Sequence, residues 1–203
     1  KSTVSELLSE LGAEHIDFDI LSRQVVAPGQ PALKQIVDYF GKQVLDADGR
    51  LDRKKMSGIV FEDVEKRKKL ESFTHPAIYA EFVRKIESIT AKNPEAIIQV
   101  SVPLLIEVNM QHMFDKILVV YAGPQQQVER LSKRDGISSE AAANILNSQL
   151  PIDEKLDYAD FVIRNEGDLA ETRRQVKKLW KELKKSQAGG VTDHLFRNSS
   201  AIK

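Results

Sequence analysis

Residues 1–19 read KSTVSELLSELGAEHIDFD, and the change of period inside this stretch decides the fold class. Val4, Leu7, Leu8 and Leu11 recur at helical spacing over residues 2–11, and Gly12 stops the run. Residues 15–17 then form a short extended segment, so a helix gives way to a strand within a few residues. That strand ends on Asp17-Phe18-Asp19. Two acids at i and i+2 leave an extended chain on the same side, until the start of a following helix turns Asp19 away. In open α/β sheets ligands bind at the carboxyl ends of the strands, so position alone makes both acids candidate site residues.

Outward from this stretch, residues 96–102, 116–121 and 161–163 are further apolar runs rich in β-branched residues and predict three more strands. Helical patterns separate them. Residues 31–40 open on Pro31 and close at Gly41. Residues 46–90 keep a helical pattern, with Asp52 as a candidate N-cap, a charged run at 65–69 and a restart at His75-Pro76. Residues 124–159 predict a helical hairpin broken at Gly136-Ile137-Ser138, with Ser138 or Ser139 capping the second arm and Glu140 close enough to contribute. From Gly167 a last helix runs to about Lys185, with Val176, Leu179, Trp180 and Leu183 on one face. Strand, long helical insertion, strand, helix, strand, helix implies an α/β fold of three layers, a parallel sheet with helices on both faces. Residues 189–203 carry no strong period and read as a C-terminal extension.

The chain has 203 residues, with 30 basic residues balanced by 30 acidic ones, so no global field would hold it on nucleic acid or an anionic membrane. Any phosphate binding must come from local groups. The absence of cysteine rules out a disulfide framework and a thiolate metal site. No apolar run approaches the roughly 18 residues of a membrane span, and the expected location is cytoplasmic. The sequence opens inside a helix and without methionine, which leads us to expect roughly a dozen further residues upstream, enough for a strand and a glycine loop.

Several residues can carry chemistry. Lys1-Ser2-Thr3 ahead of an amphipathic helix fits the end of a phosphate-binding loop, where Lys reaches the β and γ phosphates and a hydroxyl ligates Mg²⁺, although a Lys-Ser pair is common by chance. Asp19 is open to two compatible roles, capping the helix through Arg23 or catalysis as a metal-facing or proton-accepting carboxylate. Arg130 and Arg134 share a helical face and can neutralise a transferring phosphoryl group, or simply form a solvated face. Pro103, Leu104, Leu105, Ile106 and Glu107 follow a strand, which puts a rigid proline and a carboxylate at the same sheet edge as Asp19, where apolar residues serve a core or a pocket. His75 can bind an anion or act as a cap, and Asn165 can reach an adenine ring or form a turn.

Taken together, IDFDILSRQVVAPGQPAL within residues 12–33, DADGRLDRKK, FTHP, VPLLIE, ERLSKRD and QLPIDEKLDYADFVIRNEG resemble the dephospho-coenzyme A kinase family, in order and spacing, from Lys1 to about Lys184. The resemblance implies a single P-loop kinase domain over residues 1–188, with a helical acceptor-binding insertion at about 29–94 and a lid within 124–159. It implies ATP-dependent phosphorylation of the ribose 3′-hydroxyl of dephospho-coenzyme A, with Mg²⁺ as cofactor and both substrates as the small-molecule partners. Lys1, Ser2, Thr3, Arg134 and Asn165 would serve ATP, with Ser2 on the metal. Asp19 would be the catalytic carboxylate beside Lys1, and Asp17, Arg23, Arg53, His75, Pro103, Leu104, Leu105 and Glu107 would face the acceptor. The family's glycine loop and preceding strand fall upstream of Lys1. Another P-loop nucleotide or metabolite kinase, or a non-catalytic member of the family, is the alternative.

Overall fold

In a computed structural model, which describes residues 1–188, the elements run in the order α1 Ser2–Glu10, β1 Glu14–Asp17, α2 Phe18–Gln24, α3 Pro31–Phe40, α4 Arg53–Glu62, α5 Val64–Lys92 and β2 Ile98–Ser101. They continue with β3 Leu118–Tyr121, α6 Pro124–Asp135, α7 Ser139–Asn147, α8 Ile152–Lys155, β4 Phe161–Arg164 and α9 Leu169–Ala188. The four strands fall where the apolar runs place them. The extension at 189–203 lies outside the described residues. The chain forms two compact units, one of residues 14–103 and one of residues 1–13 with the described residues from Leu104 onward.

In the first unit β1 and β2 pair in parallel, from Glu14 opposite Ile98 to Asp17 opposite Ser101. A parallel pair needs a crossover, and here α2 to α5 supply it. The register is level, so Phe18-Asp19 and Val102-Pro103 leave the same end of the pair. Ile16 is the buried residue of β1, while the core between the helices is built from Val25, Val26, Ala32, Ile36, Phe40, Val44 and Met56. Each fully buried aliphatic side chain in it stabilises the fold by about 1.5–3 kcal/mol. Phe18 packs its ring on Phe82 of α5 at 5.1 Å between centroids, which fixes the start of α2 against the long helix.

Two expectations in this unit are corrected. Residues 46–51 are a turn rather than helix: the Asp46 carboxylate accepts from the N–H groups of Asp48 and Arg50, and Leu45 bridges Leu51 in antiparallel fashion. Gly49, with φ of 73°, supplies the left-handed residue this reversal needs. Asp52 does cap α4, accepting from Lys55 N–H at 3.0 Å. The restart at His75-Pro76 does not occur, and α5 passes through Pro76 without interruption. Proline removes only its own i→i−4 bond, to Ser72, and both residues are exposed, so water can reach the carbonyl left over. Phe73, Ala77 and Ile78 pack on the core on either side and hold the helix together.

In the second unit β3 and β4 pair in parallel, from Leu118 opposite Phe161 to Tyr121 opposite Arg164. Among the described residues the expected parallel arrangement is present as these two pairs, because hydrogen-bond ladders run only within each pair. Val4, Leu7, Leu8 and Ala13 pack with Ile163, Val176 and Leu179, so one face of α1 and the anticipated face of α9 share a core. Gly12 ends α1 at φ of 105°, with Gly12 N–H bonding Ser9 and Ala13 N–H bonding Leu8. This is the Schellman arrangement. The hairpin break is also as expected, with Gly136 left-handed after α6 and the Ser138 hydroxyl accepting from Ala141 N–H.

Candidate active site

The first unit brings together three of the expected acceptor-side residues. Asp17 has an extended backbone at the end of β1, and its carboxylate accepts from Asp19 N–H at 2.7 Å and Ile20 N–H at 3.3 Å. The cap of α2 is therefore Asp17, which corrects the capping role considered for Asp19. The Asp19 carboxylate is exposed and accepts no hydrogen bond among the described residues. One turn along α2 lies Arg23, on the same face. Arg53, the first residue of α4, donates to the Ser22 carbonyl at 3.1 Å. Burial, and then the neighbouring charge of Arg23, hold the Arg53 guanidinium below its ordinary value, while Asp19 acts in the opposite direction. Arg53 thus feels both the Arg23 guanidinium and the Asp19 carboxylate at the carboxyl end of β1.

His75 lies exposed on α5, two turns before Phe82. Pro103 is half-buried and leaves the β1–β2 pair at the end that Asp19 occupies.

In the second unit the head of α1 is electropositive. Arg130 and Arg134 both lie within electrostatic reach of the Lys1 backbone nitrogen at that helix end. The Lys1 carbonyl accepts from Val4 and Ser5, and neither Ser2 nor Thr3 has a side-chain hydrogen bond among the described residues. A helix N-terminus with hydroxyls and three cations around it suits a polyphosphate.

No hydrogen bond joins Arg134 to Asn165 among the described residues. Arg134 closes a bidentate bridge with Asp135, at 2.7 and 2.9 Å, and the hydrogen bond raises its pKa. Arg130 instead donates to the Asn165 carbonyl at 2.8 Å. The Asn165 turn is held further by its own N–H on the Tyr121 carbonyl and by the buried Thr172 hydroxyl, 3.1 Å from Asn165 Oδ1. Local sequence carries no signal for the Arg130 contact beyond the i, i+4 spacing, since its partner is 35 residues away.

Leu104 adopts φ of 55°, a left-handed conformation rare for a branched side chain, and begins the bend that carries Leu105 and Glu107. Glu107 bonds Lys155 at 2.7 Å and Leu150 N–H at 3.1 Å, so its carboxylate anchors this bend to α8. Among the described residues no group of three or more His, Cys, Asp or Glu side chains forms a metal site.

Residues 1–171 match the family described as dephospho-CoA kinase. The chain belongs to the dephospho-CoA kinase family. It is 42% identical over 187 residues to a dephospho-CoA kinase of Syntrophus aciditrophicus, covering 92% of this chain and 80% of that protein. A Bacillus cereus dephospho-CoA kinase is 41% identical over 181 residues, covering 89% of this chain and 90% of that protein. Among solved structures, the dephospho-CoA kinase from Campylobacter jejuni aligns with a TM-score of 0.67 at 33% identity, over 91% of this chain and 92% of that one. TT1252 from Thermus thermophilus aligns with a TM-score of 0.75 at 28% identity, over 90% and 91%. The α/β arrangement with parallel strands is thus that of dephospho-CoA kinase structures, and no described helix is long and apolar enough to cross a membrane.

Proposed function

We propose that this chain transfers the γ-phosphoryl group of ATP to the ribose 3′-hydroxyl of dephospho-coenzyme A in the cytoplasm, releasing ADP and coenzyme A. The observation that carries the reading is the uncommitted Asp19 carboxylate at the carboxyl end of β1, flanked by Arg23 and Arg53, with Asp17 already spent on the helix cap. Asp19 orients the acceptor hydroxyl and takes its proton as the oxygen bonds to phosphorus and the bond to the β-phosphate oxygen breaks. Arg23 and Arg53 bind anionic groups of the acceptor, with His75, Pro103, Leu104 and Leu105 as further acceptor-side residues.

On the nucleotide side, Lys1 holds the β and γ phosphates, Thr3 supports the α or β phosphate, and Arg134 and Asn165 serve the rest of ATP. The Ser2 hydroxyl, a hard oxygen donor without a partner among the described residues, fits Mg²⁺, which takes one or two protein ligands and completes its shell with phosphate oxygens and water. Bound there, the ion would neutralise charge on the β and γ oxygens. Phosphoryl transfer is mainly positioning and charge stabilisation, which hydroxyls and cations at the head of a helix can supply to the nucleotide.

The test is chromatographic detection of coenzyme A from ATP and dephospho-coenzyme A, with nucleoside monophosphates as competing acceptors. The expected result is product with dephospho-coenzyme A, and turnover reduced at least about a hundredfold in Asp19→Asn. Turnover with a nucleoside monophosphate and none with dephospho-coenzyme A overturns the reading.

A further inference from the structure

We infer that Asp17 is a positioning residue for this reaction, acting through Asp19 rather than on either substrate; the inference rests on the functional reading above. Its Oδ1 atom accepts from both Asp19 N–H and Ile20 N–H, so a single oxygen holds the backbone of the reactive carboxylate and of the residue after it. Three contacts make this cap rigid. Asp17 itself is pinned in the sheet opposite Ser101, and its extended backbone, φ of −117° and ψ of 118°, is the geometry an N-cap requires. Phe18, between the two acids, is packed on Phe82 of α5. Leu21, one turn into α2, is fully buried.

The exposed Asp19 side chain has none of this support of its own. Its direction is set by the backbone, and the backbone is set by the cap. A misplacement of about 1 Å at a reacting group costs on the order of a hundredfold in rate, so a cap at this position has kinetic leverage out of proportion to its effect on folding. The two acids therefore have separate roles, Asp17 fixing the chain while Asp19 does the chemistry.

Capping and direct binding call for different replacements. Asn and Ser cap nearly as well as Asp, whereas Ala does not. A ligand for a metal ion or an anionic acceptor needs the charge, and Asn would fail there as badly as Ala. We therefore expect Asp17→Asn and Asp17→Ser to keep kcat within about threefold of wild type, and Asp17→Ala to lower kcat by roughly tenfold or more with KM for both substrates within about twofold. Hydrogen exchange at the Asp19 and Ile20 amides should quicken in Asp17→Ala and stay near wild type in Asp17→Ser. Equal losses in Asp17→Asn and Asp17→Ala, a rise in acceptor KM at constant kcat, or unchanged amide exchange in Asp17→Ala would each overturn the inference. Should the wild-type protein not turn over dephospho-coenzyme A, the functional reading fails, and the exchange measurement still decides whether the cap orders Asp19.

Discussion

Gln175 of α9 holds both backbone groups of Arg164: its Oε1 accepts from the Arg164 N–H at 2.9 Å and its Nε2 donates to the Arg164 carbonyl at 3.0 Å. A side-chain amide here stands in for a neighbouring strand at the end of β4. Arg164 in turn lies over the Tyr121 ring at 4.7 Å, on the paired strand. Gln175→Leu keeps the volume but leaves two main-chain groups without their partner. The expected loss is about 1–2 kcal/mol in urea unfolding. Because Asn165 follows directly, KM for ATP should rise while KM for the acceptor stays the same; equal changes in both would disconnect this clamp from the nucleotide.

Glu107 and Lys155 form the least exposed ion pair of the second unit among the described residues, each side chain 19% accessible. Burial alone pushes the Glu107 carboxyl up, but hydrogen bonds from Lys155 and the main chain outweigh it and hold the group below its ordinary value. Lys155→Met leaves a partly desolvated carboxylate with main-chain donors at Glu107 and Leu150 as its remaining partners, so a cost of about 1–3 kcal/mol is expected. Glu107→Gln added to Lys155→Met should recover part of it. Strict additivity of the two substitutions, measured by a double-mutant cycle, would show the pair to be uncoupled.

Asp160 is one source of pH dependence. The Lys116 ammonium and the Ile117 N–H hold its carboxyl below the ordinary value of 3.8. A depressed carboxyl contributes stability that is complete above its unfolded pKa and is lost as the pH falls below about 3.8 through the folded value. Asp160→Asn keeps an acceptor for Ile117 but removes the charge. Its stability at neutral pH should fall by less than about 1 kcal/mol, because both partners are partly exposed, and its acid unfolding limb should be shallower than that of wild type. Parallel acid limbs would assign the titration to other groups.

Arg53 joins α4 to the Ser22 carbonyl while standing beside Arg23 and Asp19. Arg53→Ala should raise KM for dephospho-coenzyme A about tenfold and lower stability by about 1 kcal/mol, the worth of one hydrogen bond. Arg53→Lys should recover more of the affinity than of the hydrogen bond, since an ammonium retains the charge without the planar fork. A rise confined to KM for ATP would move Arg53 to the other substrate.

The sequence was legible where local chemistry decides the structure. Four apolar runs became four strands, and Pro31 with Gly41 bounded α3 at the residues expected. It was silent where a one-residue boundary or a distant partner decides. Asp17 and Asp19 both suit a cap, and which one serves depends on where the extended backbone turns helical. Pro76 looks like a helix breaker until the exposure of Ser72 is known. Arg130 and Arg134 look alike in sequence, yet Arg130 reaches the Asn165 turn while Arg134 pairs with its neighbour Asp135.

Gly58 and Gly136 separate propensity from conformation. Gly58 sits inside α4, exposed, with no atom within 4 Å of where a Cβ would stand. Helix propensity alone then acts, and Gly58→Ala should stabilise the protein by up to about 1 kcal/mol. Gly136 is equally uncrowded, but it ends α6 at φ of 66° and ψ of 30°, where its N–H bonds Ser132. A Cβ there meets its own backbone rather than a neighbour, so Gly136→Ala should destabilise by about 1 kcal/mol. The melting temperature should therefore move up for one alanine and down for the other. A fall for both would mean that α4 needs Gly58 for something other than backbone freedom, and no change at Gly136 would mean that the turn between α6 and α7 tolerates a right-handed residue.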